Sequence, residues 1–193
     1  ILAEEACEAF SLDYVLLMPN GNPPHKAGQV QATMEQRTRM AELAVADNPH
    51  LRVSDFEKTP QDYHYTYETL EFLTAKHPDT DFYFILGADS LMLFHTWKEP
   101  QRICDCCAIL AAVRDGMRPL ELESWIEALN KRFGARIYPL STTNIDISSN
   151  MIREKVQCGR SIRYYVPASV EAYIYREGLY LPEKRTRVPN EKR

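Results

Sequence analysis

Short apolar runs alternate along this chain with longer segments in which apolar residues recur every three or four positions. That alternation predicts strands interleaved with helices. The first segment, Leu2, Ala3, Ala6, Ala9 and Phe10, has helical spacing from its first residue with no N-cap before it. Tyr14 to Met18 reads as a strand running into the stiff loop PNGNPPHK. Thr33 and Gln36 have capping-box spacing, predicting a helix to about Asp47 with Met34, Met40, Leu43 and Ala44 on its apolar face. Leu51 to Phe56 is a second strand. Thr66, as N-cap, opens a helix that stops near His77-Pro78.

The run Phe82 to Leu86 has the length and continuity of a central strand buried on both faces. Gly87 then predicts a sharp turn open to close ligand approach, with a helix beginning near Ser90. A short helical region at Pro100 to Cys104 precedes the strand Cys107 to Val113. Next come a helix Pro119 to Phe133, with Leu120, Leu122, Trp125, Ile126 and Leu129 inward, and a strand Arg136 to Pro139. A helix starts near Asn150, and a last amphipathic helix spans Val166 to Tyr180, with Pro167 near its start and Gly178 near its end. Such spacing favours βαβ crossovers, hence an α/β fold with a mostly parallel sheet and helices on both faces. A single domain over 1–181 is expected, with 145–181 as a C-terminal helical part and 182–193 as a disordered basic tail.

Composition narrows the function classes. With 45% apolar and 26% charged residues the chain is an ordinary globular mixture, and no apolar run approaches membrane-spanning length. A net charge of −4 argues against sequence-independent nucleic-acid binding. Five cysteines, an odd number with no leader before them, point to a reducing cytoplasm. Cys104, Cys106 and Cys107 invite a zinc reading; the competing one is that Cys106 and Cys107 open the strand as small buried side chains. The first lacks a second C-x-x-C or a His pair.

The candidate chemistry lies where strands end. His25 and Lys26 follow the first strand, where ligands collect in open α/β sheets, and lysine suits a phosphate; an exposed solvated pair is the alternative. Arg37 and Arg39 lie in the next helix, where they reach a phosphate or are solvated. Gly87, Ala88 and Asp89 stand at a turn suited to an anionic nucleotide, unless Asp89 simply caps the helix. Trp97 lies beyond that turn, either stacked on a flat heterocycle or in the core. Ser148, Ser149 and Arg153 form either caps or a cradle for a triphosphate.

Taken together, PNGNPPHK, HYTYETLEFL, FILGADSLMLFHTW, IDISSNMIR and SIRYYVPASVEAYI, in this order, resemble the bacterial nicotinate mononucleotide adenylyltransferases over nearly the whole chain. The resemblance implies a Rossmann-like nucleotidyltransferase fold. It also implies transfer of the adenylyl group of ATP to nicotinate mononucleotide with Mg²⁺ assisting, giving deamido-NAD and pyrophosphate in NAD biosynthesis. Lys26, with His25, would lie near the mononucleotide phosphate. Thr66 and Tyr67 would line the nicotinate pocket, and Trp97 would stack on the pyridine ring. Gly87 and Ala88 would approach the nucleotide with their backbone, Asp89 would meet the adenosine ribose, and Ser148, Ser149 and Arg153 would bind ATP phosphates. Asn150 stands where the family more often has Ser or Thr.

The family opens with a strand and a Gly-x-Phe-Asp-Pro-x-His-x-Gly-His motif that this sequence does not contain. Ile1 matches just after it, so the expectation is a fragment of an active enzyme, without the central strand and the histidines that would contact ATP phosphates. Alternatives are a related adenylyl- or cytidylyltransferase with another acceptor, such as pantetheine phosphate, and a nucleotide-binding module without catalysis. ATP and nicotinate mononucleotide are the expected partners, for a monomer or homo-oligomer.

Overall fold

The computed structural model describes residues 1–20, 32–54, 65–113, 119–143 and 145–181. In chain order the helices and strands are α1 (Leu2–Phe10), β1 (Val15–Leu17), α2 (Met34–Val45), β2 (Leu51–Val53), α3 (Thr66–Lys76), β3 (Tyr83–Gly87), α4 (Ala88–Met92), α5 (Pro100–Cys106), β4 (Ala108–Val113), α6 (Pro119–Phe133), β5 (Ile137–Ser141), α7 (Ser149–Gln157) and α8 (Ala168–Arg176), with a 3₁₀ turn at Phe94–Thr96. The alternation expected from the sequence is present.

All strand pairs described are parallel, as expected, but they form two ladders, β1-β2 and β3-β4-β5. The buried central strand is therefore β4 rather than β3. Residues Ala108 to Ala112 are all buried, whereas in β3 only Leu86 is, and Tyr83 is 37% exposed. β4 has a partner on each side, while β3 is an edge of its ladder.

Side chains of the three-stranded ladder alternate as a pleat requires. Phe84, Leu86, Ile109, Ala111 and Ile137 face a core with Leu70 of α3, Leu91 of α4, Ile103 of α5 and Leu122 and Leu129 of α6. Ile85, Leu110 and Leu140 face α1 through Ala6 and Phe10, and the Phe10 ring lies 6.0 Å from Tyr83 and 5.9 Å from Tyr138. Helices thus cover both faces. α1 also reaches the other ladder's side, since the Asn48 amide donates to Glu4 Oε2 at 2.6 Å. A third apolar cluster joins α2, α7 and α8 through Leu43, Val156, Ile162, Val170 and Ile174, and the Ser169 hydroxyl donates to the Leu43 carbonyl at 2.9 Å.

The caps decide where helices begin. Thr33 and Gln36 form the expected capping box, with Thr33 N donating to Gln36 Oε1 at 2.9 Å and Gln36 N to Thr33 Oγ1 at 3.2 Å. Thr66 is not the N-cap of α3. Tyr65 takes that position because the Glu68 carboxylate accepts its N–H at 2.9 Å. Asp89 is not a cap either, because α4 begins one residue earlier, after Gly87. The helix expected near Asn150 begins at Ser149, capped by Ser148 Oγ, which accepts Met151 N–H at 3.2 Å.

Trp125, expected inward on α6, is 37% exposed and stacks on His95, with centroids 6.3 Å apart. Of the cysteine cluster, Cys104 and Cys107 are buried, and the Cys107 thiol donates to the Ile103 carbonyl. Burial pushes their thiols up to about 11 and about 12, so they remain protonated small side chains.

Candidate functional site

Parallel register places the carboxyl ends of β3, β4 and β5 together, with Gly87 opposite Ala112 and Val113 opposite Ser141. In an open α/β sheet this end forms the ligand crevice. Gly87 has φ −67° and ψ 147°, a conformation any residue adopts, so the sharp turn expected of it is not what requires glycine. A Cβ built at Gly87 meets no atom within 4 Å. Space in front of this main chain is thus open to a ligand. Gly87→Ala is expected to change folding stability by less than about 0.5 kcal/mol, as usual for a substitution that meets nothing. If a nucleotide packs on this backbone, the same change weakens its binding about tenfold, which titration calorimetry beside a urea melt separates.

The residues expected around the site fall into two sets. In the first, Tyr67 and Trp97 share the apolar cluster that also holds Phe94 and, at the end of β3, Leu86. Trp97 is half-buried, edge-on to Phe84 at 6.1 Å and tilted against Phe94 at 5.6 Å. Trp97 thus packs one side into the core, and the remainder of the ring is accessible. Tyr67 is buried, its hydroxyl donating to Glu68 Oε1 at 3.0 Å, and burial pushes its phenol up. Thr66 is half-buried beside it, Ala88 is buried, and Asp89 is exposed in the first turn of α4.

The second set surrounds α7. Ser148 and Ser149 open that helix, and Arg153, one turn on, donates to the Asn150 amide oxygen. Burial raises the Tyr180 phenol, while the positive charges of Arg153 and Arg37 pull it down. Arg37 in turn donates to the Asn20 carbonyl at 2.5 Å, at the start of the proline-rich loop. Arg39 is a solvated residue instead, paired with Glu42 on the surface of α2. His25 and Lys26 lie outside the described residues.

Sequence reasoning missed Glu5 and Arg102. Glu5 Oε1 accepts the Thr143 N–H at 2.9 Å just past β5, in an open groove of about 550 Å³ that Glu8, Ser141 and Thr142 also line. Hydrogen bonds from Thr143 hold this carboxyl below the usual carboxylate range. A depressed carboxylate contributes stability that is complete above its unfolded value, about 4.3, and is lost as pH falls through the lower folded value. Glu5→Gln is therefore expected to lose less stability than the parent between about pH 5 and about pH 3, read from urea midpoints across that range. Arg102 binds Glu71 across 31 positions of sequence, and no local pattern signals such a pair.

Comparison with known proteins places the chain. Residues 1–155 match the cytidylyltransferase-like family. A protein of Lachnoclostridium phytofermentans named "probable nicotinate-nucleotide adenylyltransferase" is 40% identical over 94% of this chain and 90% of its own length. One of the same name from Geobacter metallireducens is 36% identical over 95% of this chain and 91% of its own length. Among solved structures, the Plasmodium falciparum nicotinic acid mononucleotide adenylyltransferase complexed with NaAD superposes with a TM-score of 0.71 at 17% identity, covering 93% of this chain and 90% of that one. A putative nicotinate-nucleotide adenylyltransferase from Vibrio parahaemolyticus gives 0.61 at 20% identity, over 92% and 85%. At those identities the likeness establishes the fold, which is the Rossmann-like nucleotidyltransferase fold.

Proposed function

This chain belongs to the nicotinate-nucleotide adenylyltransferases within the cytidylyltransferase-like family, and from that premise we propose how its own residues serve the reaction. The enzyme transfers the adenylyl group of ATP to nicotinate mononucleotide, giving deamido-NAD and pyrophosphate in NAD biosynthesis. A phosphate oxygen of the mononucleotide attacks the α-phosphorus of ATP. The new P–O bond forms as the bond to the β-phosphate oxygen breaks, and pyrophosphate carries away that electron pair. No protein nucleophile is needed, so catalysis rests on alignment and on neutralising charge.

The observation that carries the assignment of roles is the gathering of Tyr67 and Trp97 on one apolar cluster beside the Gly87–Ala88 turn. In this reading Trp97 stacks on the pyridine ring, Thr66 and Tyr67 line the nicotinate pocket, and Lys26 with His25 meets the mononucleotide phosphate. The main chain at Gly87 and Ala88 approaches the nucleotide, and Asp89 bonds the ribose. Ser148, Ser149 and Arg153 hold the ATP phosphates, where the N-terminus of α7 adds its partial positive charge. Arg37, whose charge acts on the Tyr180 phenol in the same direction as that of Arg153, adds a second cation in this reading.

Among the described residues no three His, Cys, Asp or Glu side chains converge into a group that could hold Mg²⁺. The ion would be held by ATP phosphates and water, and would neutralise phosphate charge. No helix among the described residues is long and apolar enough to cross a membrane. The reading sets the enzyme in the cytoplasm, as a monomer or homo-oligomer acting without nucleic acid.

Titration of tryptophan fluorescence tests the acceptor assignment. Nicotinate mononucleotide should quench the emission saturably in the parent but not in Trp97→Phe, in which Trp125 remains. Equal quenching in both would remove Trp97 from the pocket.

A further inference from the structure

We infer that Arg102 is a positioning residue for the acceptor pocket, tying the helix that carries Thr66 and Tyr67 to the segment that carries Trp97. The inference rests on the reading that these three residues bind nicotinate mononucleotide.

The two walls of that pocket belong to different elements. Thr66 and Tyr67 are the first two residues of α3, while Trp97 ends the 3₁₀ turn just before α5. Their separation depends on how α3 and α5 are fixed together. Arg102, in the first turn of α5, spans the gap. Its Nε donates to Glu71 Oε1 at 2.6 Å and its Nη2 to Glu71 Oε2 at 2.5 Å, a two-pronged pair that fixes orientation as well as distance. The same guanidinium carbon lies 4.2 Å from the centre of the Tyr67 ring.

The clamp continues at both ends. On α3 the Tyr67 hydroxyl donates to Glu68, whose other carboxylate oxygen accepts the Tyr65 N–H and so fixes the first turn of the helix. On α5 the Arg102 N–H donates to the Glu99 carbonyl at 3.1 Å, two residues past Trp97. Glu99 itself holds φ +51°, a left-handed conformation that is unfavourable for a residue with a side chain. The Trp97–Pro100 connection is thus held in one particular path. A lysine at 102 would keep the charge but lose the fork.

An exposed ion pair of this kind adds little to global stability, whereas its geometry bears directly on one pocket. Calorimetric titration of nicotinate mononucleotide and, separately, of ATP into the parent, Arg102→Ala and Glu71→Gln tests this. Both variants should bind the mononucleotide about three- to tenfold more weakly while ATP affinity stays within about twofold. Glu71→Gln keeps the shape of the side chain, so it answers the question even where Arg102→Ala folds poorly. Unchanged mononucleotide affinity in Glu71→Gln, or equal weakening of both ligands, overturns the inference. A parent that does not bind nicotinate mononucleotide at all instead removes the functional reading beneath it, and the inference with it.

Discussion

Arg153→Ala is expected to lower kcat for pyrophosphate release about 10²- to 10³-fold, the usual consequence of removing one donor aimed at charge that develops in the transition state. The guanidinium sits one turn into α7, oriented by its bond to Asn150, beside a helix start whose first N–H groups also point outward. It is half-buried, and its positive charge and that of Arg37 both pull the Tyr180 phenol down against the effect of burial. Arg153→Lys keeps the charge without the fork and should recover part of the rate. Folding stability should fall by no more than about 1 kcal/mol, because its bond to Asn150 joins neighbours on the same helix. Steady-state kinetics with a parallel thermal melt separate the two effects. A full rate in Arg153→Ala would exclude this residue from the phosphate site.

Trp97→Ala should raise the dissociation constant for nicotinate mononucleotide about 5- to 150-fold, since stacking of a flat heterocycle on an aromatic side chain is worth about 1–3 kcal/mol. ATP affinity should change little. A structural cost comes with it, because Trp97 also packs on Phe84 and Phe94, and aromatic pairs contribute about 0.5–1.5 kcal/mol each beyond the area they bury. Trp97→Phe should keep most of the stability and part of the affinity. The comparison is decisive because the two roles act on different observables. A melt that drops with unchanged mononucleotide affinity would leave Trp97 as core alone.

How much of this could be read from the sequence varies with the range of the interaction. Element order followed from local pattern: the capping box of Thr33 and Gln36 and the helix Pro119–Phe133 appear as the residues dictate. Placing the buried central strand required knowing which strands pair. Phe82 to Leu86 is as apolar as a central strand, yet β4 occupies that place because it alone of the three has two neighbours. Helix starts shifted by one or two residues where a side chain further on decided the cap, as Glu68 does for Tyr65. Gly87 does not adopt the sharp-turn conformation expected of it, and the space before its Cα is open. Trp125 shows the limit of periodicity, since the inward face of a helix depends on what lies opposite, and here His95 covers it from outside. The Arg102–Glu71 pair and the Glu5–Thr143 bond join residues 31 and 138 positions apart, beyond any local rule. Of the motifs that conveyed the family, FILGADSLMLFHTW spans the end of β3 and the start of α4, and IDISSNMIR the start of α7.

The central claim is adenylyl transfer to nicotinate mononucleotide, and the most direct measurement is product analysis with the natural protein, ATP, Mg²⁺ and that acceptor. Deamido-NAD and pyrophosphate should appear in equal amounts, and both should depend on nicotinate mononucleotide. Absence of deamido-NAD, with pyrophosphate released instead when pantetheine phosphate is the acceptor, would contradict the account.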